Sequence, residues 1–196
     1  MSGRPTARAP AASGPVTALV GNPKPRSRTY EAALRCATRV AELRGDRRVE
    51  AIDLIDLGPR LFSPDDERVR SALELVRASA VLVVASPTYK ATYTGLLKLL
   101  FDQIAAGELR GALGLPLMLG GAASHALAVD VHLRPLLVEV GCSCPTAGIF
   151  LLESDLAGRE ATLTAWLERW KDELLRRPAQ HERQAERSAE LPSRDL

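Results

Sequence analysis

AVLVVAS, residues 80–86, decides how this chain folds. It is a continuous apolar run dominated by β-branched residues, and it ends abruptly in SPTYKATYTG, residues 86–95. A strand with no polar alternation is buried on both faces, which is the habit of parallel sheets covered by helices. The flanking sequence agrees. Residues 66–79 repeat Val69, Leu73 and Val76 at helical spacing, and residues 94–105 (TGLLKLLFDQIA) again read as helix.

The same alternation extends in both directions. VTALV (16–20) is a short β-type run, and residues 30–42 place Tyr30, Ala33, Leu34, Ala37, Val40 and Ala41 at helical spacing. VEAIDL (49–54) reads as a second strand, and Gly58-Pro59 opens a loop. LPLMLGG (115–121) and TAGIFLL (146–152) are the fourth and fifth strands. Residues 124–140 are helical, with Pro135 expected to bend or break the helix. Residues 157–176 close the body as a helix carrying Leu163, Trp166, Leu167, Trp170 and Leu174 on one face. Five strands separated by helices predict an α/β fold: a three-layer, doubly wound parallel five-stranded sheet of order 2-1-3-4-5. The folded domain is expected over 15–176, between a tail at 1–14 and a charged tail at 177–196.

Composition narrows the class. Aromatics are only 4% of the chain, so the core must be aliphatic. A net charge of +2 with both signs interspersed gives no nucleic-acid footprint. No apolar run is long enough to span a bilayer, and no signal peptide is read at the start. The three cysteines lack a disulfide framework, which points to a reduced, cytoplasmic chain. Cys142-Ser-Cys144 has no partner His or Cys at metal-ligand spacing, so no metal site is expected. Cys36 falls on the inner side of the first helix.

In a doubly wound sheet, ligands lie beyond the carboxyl ends of the strands, near the switch between strands 1 and 3. The loops there are the unusual ones: GNPKPRSRT (21–29), SPTYKATYTG (86–95) and GGAASH (120–125). The first enters a helix, whose N-terminal N–H groups favour a phosphate, and Ser27, Thr29, Lys24 and Arg28 can add donors and charge. It is neither a Walker loop nor GxGxxG. Alone, it fits a capped helix with a solvated basic turn equally well. Ser86, Pro87, Thr88 and Tyr89 stand where a ring system can lie beside the sheet, though Pro-Thr-Tyr is also an ordinary strand-to-helix turn. In the third loop the glycines allow close backbone approach. Ser124 is placed to cap the next helix, and His125 is either a neutral donor to a ring edge or a packed side chain.

Together these stretches resemble a known family. SPTYKATYTGLLKLLFD (86–102), GGAASHALAVDVHLRPLL (120–137) and GNPKPRSRT are similar to the signatures of NAD(P)H-dependent FMN reductases with a flavodoxin-like fold. The resemblance runs from about Val16 to Leu152, nearest to the reductase components of two-component alkanesulfonate monooxygenase systems. It implies that Asn22, Lys24, Ser27, Arg28 and Thr29 hold the FMN phosphate, that Pro87, Thr88, Tyr89 and Lys90 border the isoalloxazine, and that Gly120, Gly121, Ser124 and His125 complete the pocket. Asn22 and Lys24 stand where the family usually has Ser and Arg. In some members of that subgroup an inserted Tyr bulges helix 4. Here Val131 and His132 follow Asp130, and the bulge is expected to be absent.

The implied chemistry is hydride transfer from NADPH or NADH to FMN, with Lys90 or loop N–H groups available to stabilise the reduced anion. The resemblance also implies a homodimer or homotetramer, and a flavin-dependent monooxygenase as recipient of reduced FMN. Two alternatives remain. One is a reductase that keeps FMN bound and reduces quinones or azo compounds. The other is a flavodoxin-type electron carrier, although the first loop is not of the flavodoxin T-x-T-G type and the acidic surface of flavodoxins is missing.

Overall fold

The computed structural model describes residues 14–46 and 48–176. The tails expected at 1–14 and 177–196 lie outside the described residues, Gly14 excepted. Five strands form one parallel sheet: β1 (Val16–Val20), β2 (Val49–Asp53), β3 (Val81–Pro87), β4 (Leu113–Gly120) and β5 (Ile149–Leu152). Their order is β2-β1-β3-β4-β5, as the alternation of runs predicts. Every residue of β1, β3 and β4 is buried, which is why these strands carry no polar alternation.

The helices are α1 (Arg28–Arg44), α2 (Glu67–Ala78), α3 (Gly95–Phe101), α4 (Arg134–Glu139), α5 (Leu156–Arg169) and α6 (Lys171–Leu175). Alternate strand residues feed two separate cores. Ala18, Val20, Val83, Ala85 and Leu117 pack against Ala33, Cys36, Ala37 and Val40 of α1 and Leu163, Trp166 and Leu167 of α5. Leu19, Leu82, Val84 and Met118 pack against Val69, Leu73 and Val76 of α2, Leu97 and Leu100 of α3, and Leu133 and Leu137. The result is three layers. Pro116 is tolerated inside β4 because its missing N–H falls on the β5 side, between the Gly114 N–H bond to the Ser143 carbonyl and the point where β5 pairing begins at Leu117.

Several expectations are corrected. Gly58-Pro59 does not open an irregular loop but enters a 3-10 turn over Gly58–Phe62 that buries Leu61. The terminal helix is broken at Trp170 into α5 and α6. The third correction concerns 124–140. This segment is a 3-10 turn (Ala123–His125), a π turn (Val129–Leu133) and only then α4.

The bulge expected to be absent is therefore present as a π turn, without a tyrosine. Two features hold it. Pro135 at the start of α4 has no N–H to donate back into an α-helical ladder. Asp130 Oδ1 accepts from Arg134 Nε at 2.9 Å and from the Gly148 N–H at 2.9 Å, while Arg134 also donates to the carbonyls of Cys144 (2.7 Å) and Thr146 (2.5 Å). The turn is thus bolted to the segment before β5. The same contacts make residues 146–148 a loop, so β5 begins later than the apolar run suggests.

Candidate active site

Because the strands are parallel and in register, their last residues, Val20, Asp53, Pro87, Gly120 and Leu152, share one rim of the sheet. The polar loops meet there. Thr94 Oγ1 donates to the Gly21 carbonyl at 2.5 Å, joining the first loop to the second. The Thr88 N–H donates to the Leu119 carbonyl at 2.6 Å, joining the second to the third. The Glu153 N–H donates to the Gly120 carbonyl, and Arg28 Nη1 donates to the Glu153 carbonyl at 3.2 Å, closing the circuit through the end of β5.

The first loop is organised from within. Asn22 and Thr29 are buried, and Asn22 Nδ2 donates to Thr29 Oγ1 at 2.9 Å. Asn22 Oδ1 accepts the Lys24 N–H at 2.9 Å, turning the chain. Ser27 is the N-cap of α1, and its Oγ accepts the Tyr30 N–H at 3.2 Å. In both hydroxyl contacts the oxygen accepts, so Ser27 and Thr29 each keep a proton to donate. The first N–H groups of α1 lack helical acceptors, and the helix end is partly positive. Lys24 and Arg28 are exposed beside it and form no ion pair among the described residues. Donors and positive charge thus collect at one point, which can bind a phosphate dianion.

Arg26 behaves differently. Its backbone is left-handed, with φ 47°. Its N–H donates to Asp53 Oδ2 at 3.1 Å, its guanidinium donates to Asp56 Oδ2 at 3.1 Å, and it stacks over Tyr30 at 4.8 Å. Burial pushes the Asp53 carboxyl above its ordinary value, partly opposed by the Arg26 N–H bond.

In the second loop Pro87 is the last strand residue and buried, so it belongs to β3 and not to the turn. Tyr89 and Thr92 exchange backbone bonds (2.9 and 3.2 Å) across a tight tip at Lys90 (φ 52°) and Ala91 (φ 67°). Such tips favour Asn-Gly, and a non-glycine residue held there costs on the order of 1–2 kcal/mol. Tyr89 is half exposed and Lys90 exposed at the rim. In the third loop Ser124 lies inside the 3-10 turn and caps nothing, contrary to expectation. Gly121 is open, with nothing within 4 Å of a built Cβ.

Besides Asp53 Oδ1, two buried polar atoms at this rim, Thr88 Oγ1 and His125 Nδ1, have no partner among the described residues. Buried polar atoms without partners are rare in folded proteins. They belong to the second and third loops, where a heterocycle with ring nitrogens and carbonyls would satisfy them. The residues present therefore fit FMN: a cationic, donor-rich pocket for its phosphate, and orphaned polar atoms with an open glycine for its ring. The sequence reading missed Thr94, Arg26 and Asp53. Thr94 carries a readable signal, a hydroxyl before a helical apolar run. Asp53 carries only a weak one, an acid ending an apolar strand at the ligand edge of the sheet.

A five-stranded parallel sheet in this order, with polar loops gathered at the switch between β1 and β3, is a flavodoxin-like α/β arrangement. Residues 15–157 match the NADPH-dependent FMN reductase family, and the chain belongs to that family. It is 35% identical over 111 residues to "FMN reductase (NADPH)" of Pseudomonas putida, a match covering 57% of this chain and 56% of that protein. It is 33% identical over 133 residues to "NADH-dependent FMN reductase SfnF" of Pseudomonas fluorescens, covering 63% of this chain and 70% of that protein. The chain thus spans little more than half the length of the P. putida relative. Among solved structures, apo NADH:FMN oxidoreductase (EMOB) superposes with a TM-score of 0.76 at 29% identity, over 85% of this chain and 92% of that one.

Proposed function

We propose that this chain is an NAD(P)H-dependent FMN reductase that takes FMN as a dissociable substrate and passes reduced FMN to a two-component monooxygenase. The observation that carries this reading is the first loop, where Ser27 and Thr29 keep hydroxyl protons to donate beside exposed Lys24 and Arg28 at the start of α1. Bound FMN supplies the redox chemistry, accepting a hydride from the nicotinamide.

The chain's own residues bind and orient. Asn22 holds Thr29 and turns Lys24 toward the phosphate position. Thr88 and His125 offer unpartnered polar atoms to the ring edge, and Gly121 leaves open space for the ring to approach the backbone, while Gly120 makes room for Phe150. Tyr89 supplies an exposed flat wall, and Lys90 an ammonium on the strained tip that favours negative charge developing on the ring. The family relatives carry both nicotinamides in their names, so either NADPH or NADH serves as donor. A Lys at position 24 grips a phosphate as a point charge, without the fork of Arg, which suits a flavin that leaves.

The surface supports a homodimer or homotetramer. Leu127, Val131 and Val138 in the β4–β5 connection are exposed apolar side chains that a second copy of the chain would cover. The cysteines are free, which suits a reducing, cytoplasmic setting. No helix among the described residues is long and apolar enough to cross a membrane.

Steady-state oxidation of NADPH and NADH, each with and without added FMN, tests the reading. The expected result is a colourless purified protein that oxidises nicotinamide only when FMN is added. A yellow protein that turns over quinone without added FMN would replace this reading with that of a flavin-retaining quinone reductase.

A further inference from the structure

Asp53 ends β2, yet it spends its carboxylate on a different segment. Its side chain is fully buried. One oxygen, Oδ2, accepts the Arg26 N–H at 3.1 Å and lies 3.8 Å from Arg26 Nη1; the other, Oδ1, has no hydrogen-bond partner among the described residues. A buried carboxylate with a vacant oxygen is costly. The contact it does make falls on the one residue of the first loop with a left-handed backbone, Arg26 at φ 47°. A non-glycine residue persists in that region only when its surroundings hold it there.

The position of Arg26 makes this hold consequential. It follows Pro25 and directly precedes Ser27, the N-cap of α1. Any relaxation of Arg26 rotates the chain leading into Ser27 and shifts the hydroxyl and the N–H groups that face the phosphate position. The exposed Arg26 guanidinium donates to Asp56 and stacks on the Tyr30 ring, and it meets Asp53 only as a longer ion pair at 3.8 Å. What Arg26 gives the loop is therefore its backbone shape.

We propose that Asp53 is a positioning residue for phosphate recognition: through the Arg26 N–H it locks the first loop in the shape that binds the 5′-phosphate of FMN. The inference rests on the reading of that loop as the phosphate site. Asp53 itself touches no ligand.

The test compares FMN with riboflavin, which lacks the phosphate, as substrates of the full chain with NADPH or NADH. Asp53→Ala is expected to raise KM for FMN about tenfold, the loss of one strong hydrogen bond, with kcat and the riboflavin KM within about twofold of wild type. Asp53→Asn keeps an amide oxygen for the Arg26 N–H, and its FMN KM stays within about threefold of wild type. Adding Arg26→Gly to Asp53→Ala restores most of the FMN preference, because glycine takes the left-handed shape unaided.

An Asp53→Ala protein that keeps the wild-type ratio of FMN to riboflavin KM, or raises both equally, overturns the role of Asp53. If Asp53→Ala does not fold, the double variant and Asp53→Asn carry the same comparison. A double variant without FMN preference, or an Asp53→Asn protein with a tenfold FMN defect, also overturns it. A wild-type protein that accepts riboflavin as readily as FMN instead removes the phosphate reading of the loop.

Discussion

Thr94 Oγ1 donates to the Gly21 carbonyl at 2.5 Å, and the same oxygen accepts the Leu97 N–H at 3.2 Å. One hydroxyl therefore caps α3 and ties the end of β1 to it. The Thr94 N–H in turn donates to Ser86 Oγ at 3.0 Å, at the end of β3. Two loops are fixed to one another by a single buried threonine, across the 73 positions between Gly21 and Thr94.

Thr94→Val keeps the shape and removes the hydroxyl. It should destabilise the fold by about 2 kcal/mol, combining a lost cap with a buried carbonyl left unpaired. Thr94→Ser should recover most of that loss. Urea unfolding midpoints measure both, and equal midpoints for Thr94→Val and wild type would contradict the role given to this contact.

The glycines at the rim separate folding from binding. A Cβ at Gly21 would lie 2.5 Å from Leu97 Cβ, so Gly21→Ala should cost about 1–3 kcal/mol or more through overpacking of β1 against α3. A Cβ at Gly121 meets nothing within 4 Å. Gly121→Ala should therefore melt with wild type yet raise KM for FMN, because its methyl enters space assigned to the ring. An unchanged KM would place the ring elsewhere.

The tip at Lys90 and Ala91 holds two non-glycine residues at positive φ. Ala91→Gly should stabilise the protein by about 1 kcal/mol and leave turnover unchanged, since only strain is removed. Under the proposed placement of Lys90 beside the ring, Lys90→Ala should lower kcat and make the reduction potential of bound FMN more negative. Wild-type turnover and potential in Lys90→Ala would remove the lysine from the chemistry.

Cys36 and Cys142 are buried and Cys144 is half-buried. Burial pushes Cys36 up to about 12 and Cys144 up to about 11, Arg134 partly opposing the latter, and Cys142 is raised as well. Near pH 8 almost no thiolate forms, so an aromatic disulfide reagent should label the native protein very slowly. Unfolding should release all three thiols. Rapid labelling of one thiol in the native state would contradict the packing of the Cys142–Cys144 segment.

The strands and their order were legible because β1, β3 and β4 are covered on both faces and must be apolar throughout. The loops at the rim were legible for the opposite reason: polar, proline- and glycine-rich segments interrupt those runs where the fold leaves backbone groups unpaired. The segment 124–140 was not legible as three kinds of turn. Its apolar spacing fits one helix, and the π turn depends on Asp130 reaching Gly148 and Arg134 reaching Cys144 and Thr146, contacts that exist only after β5 has docked. Asp53 was hidden in the alternation of β2, where an acid looks like any solvent-facing residue. Ser124 followed a local capping rule, and the 3-10 turn that contains it overrode that rule.

Calorimetric titration of the intact, folded chain with FMN tests the central claim most directly. About one FMN should bind per chain, with an affinity that weakens as salt screens Lys24 and Arg28 and that falls sharply when riboflavin is the titrant. A folded protein that shows no heat of binding with FMN would contradict the account.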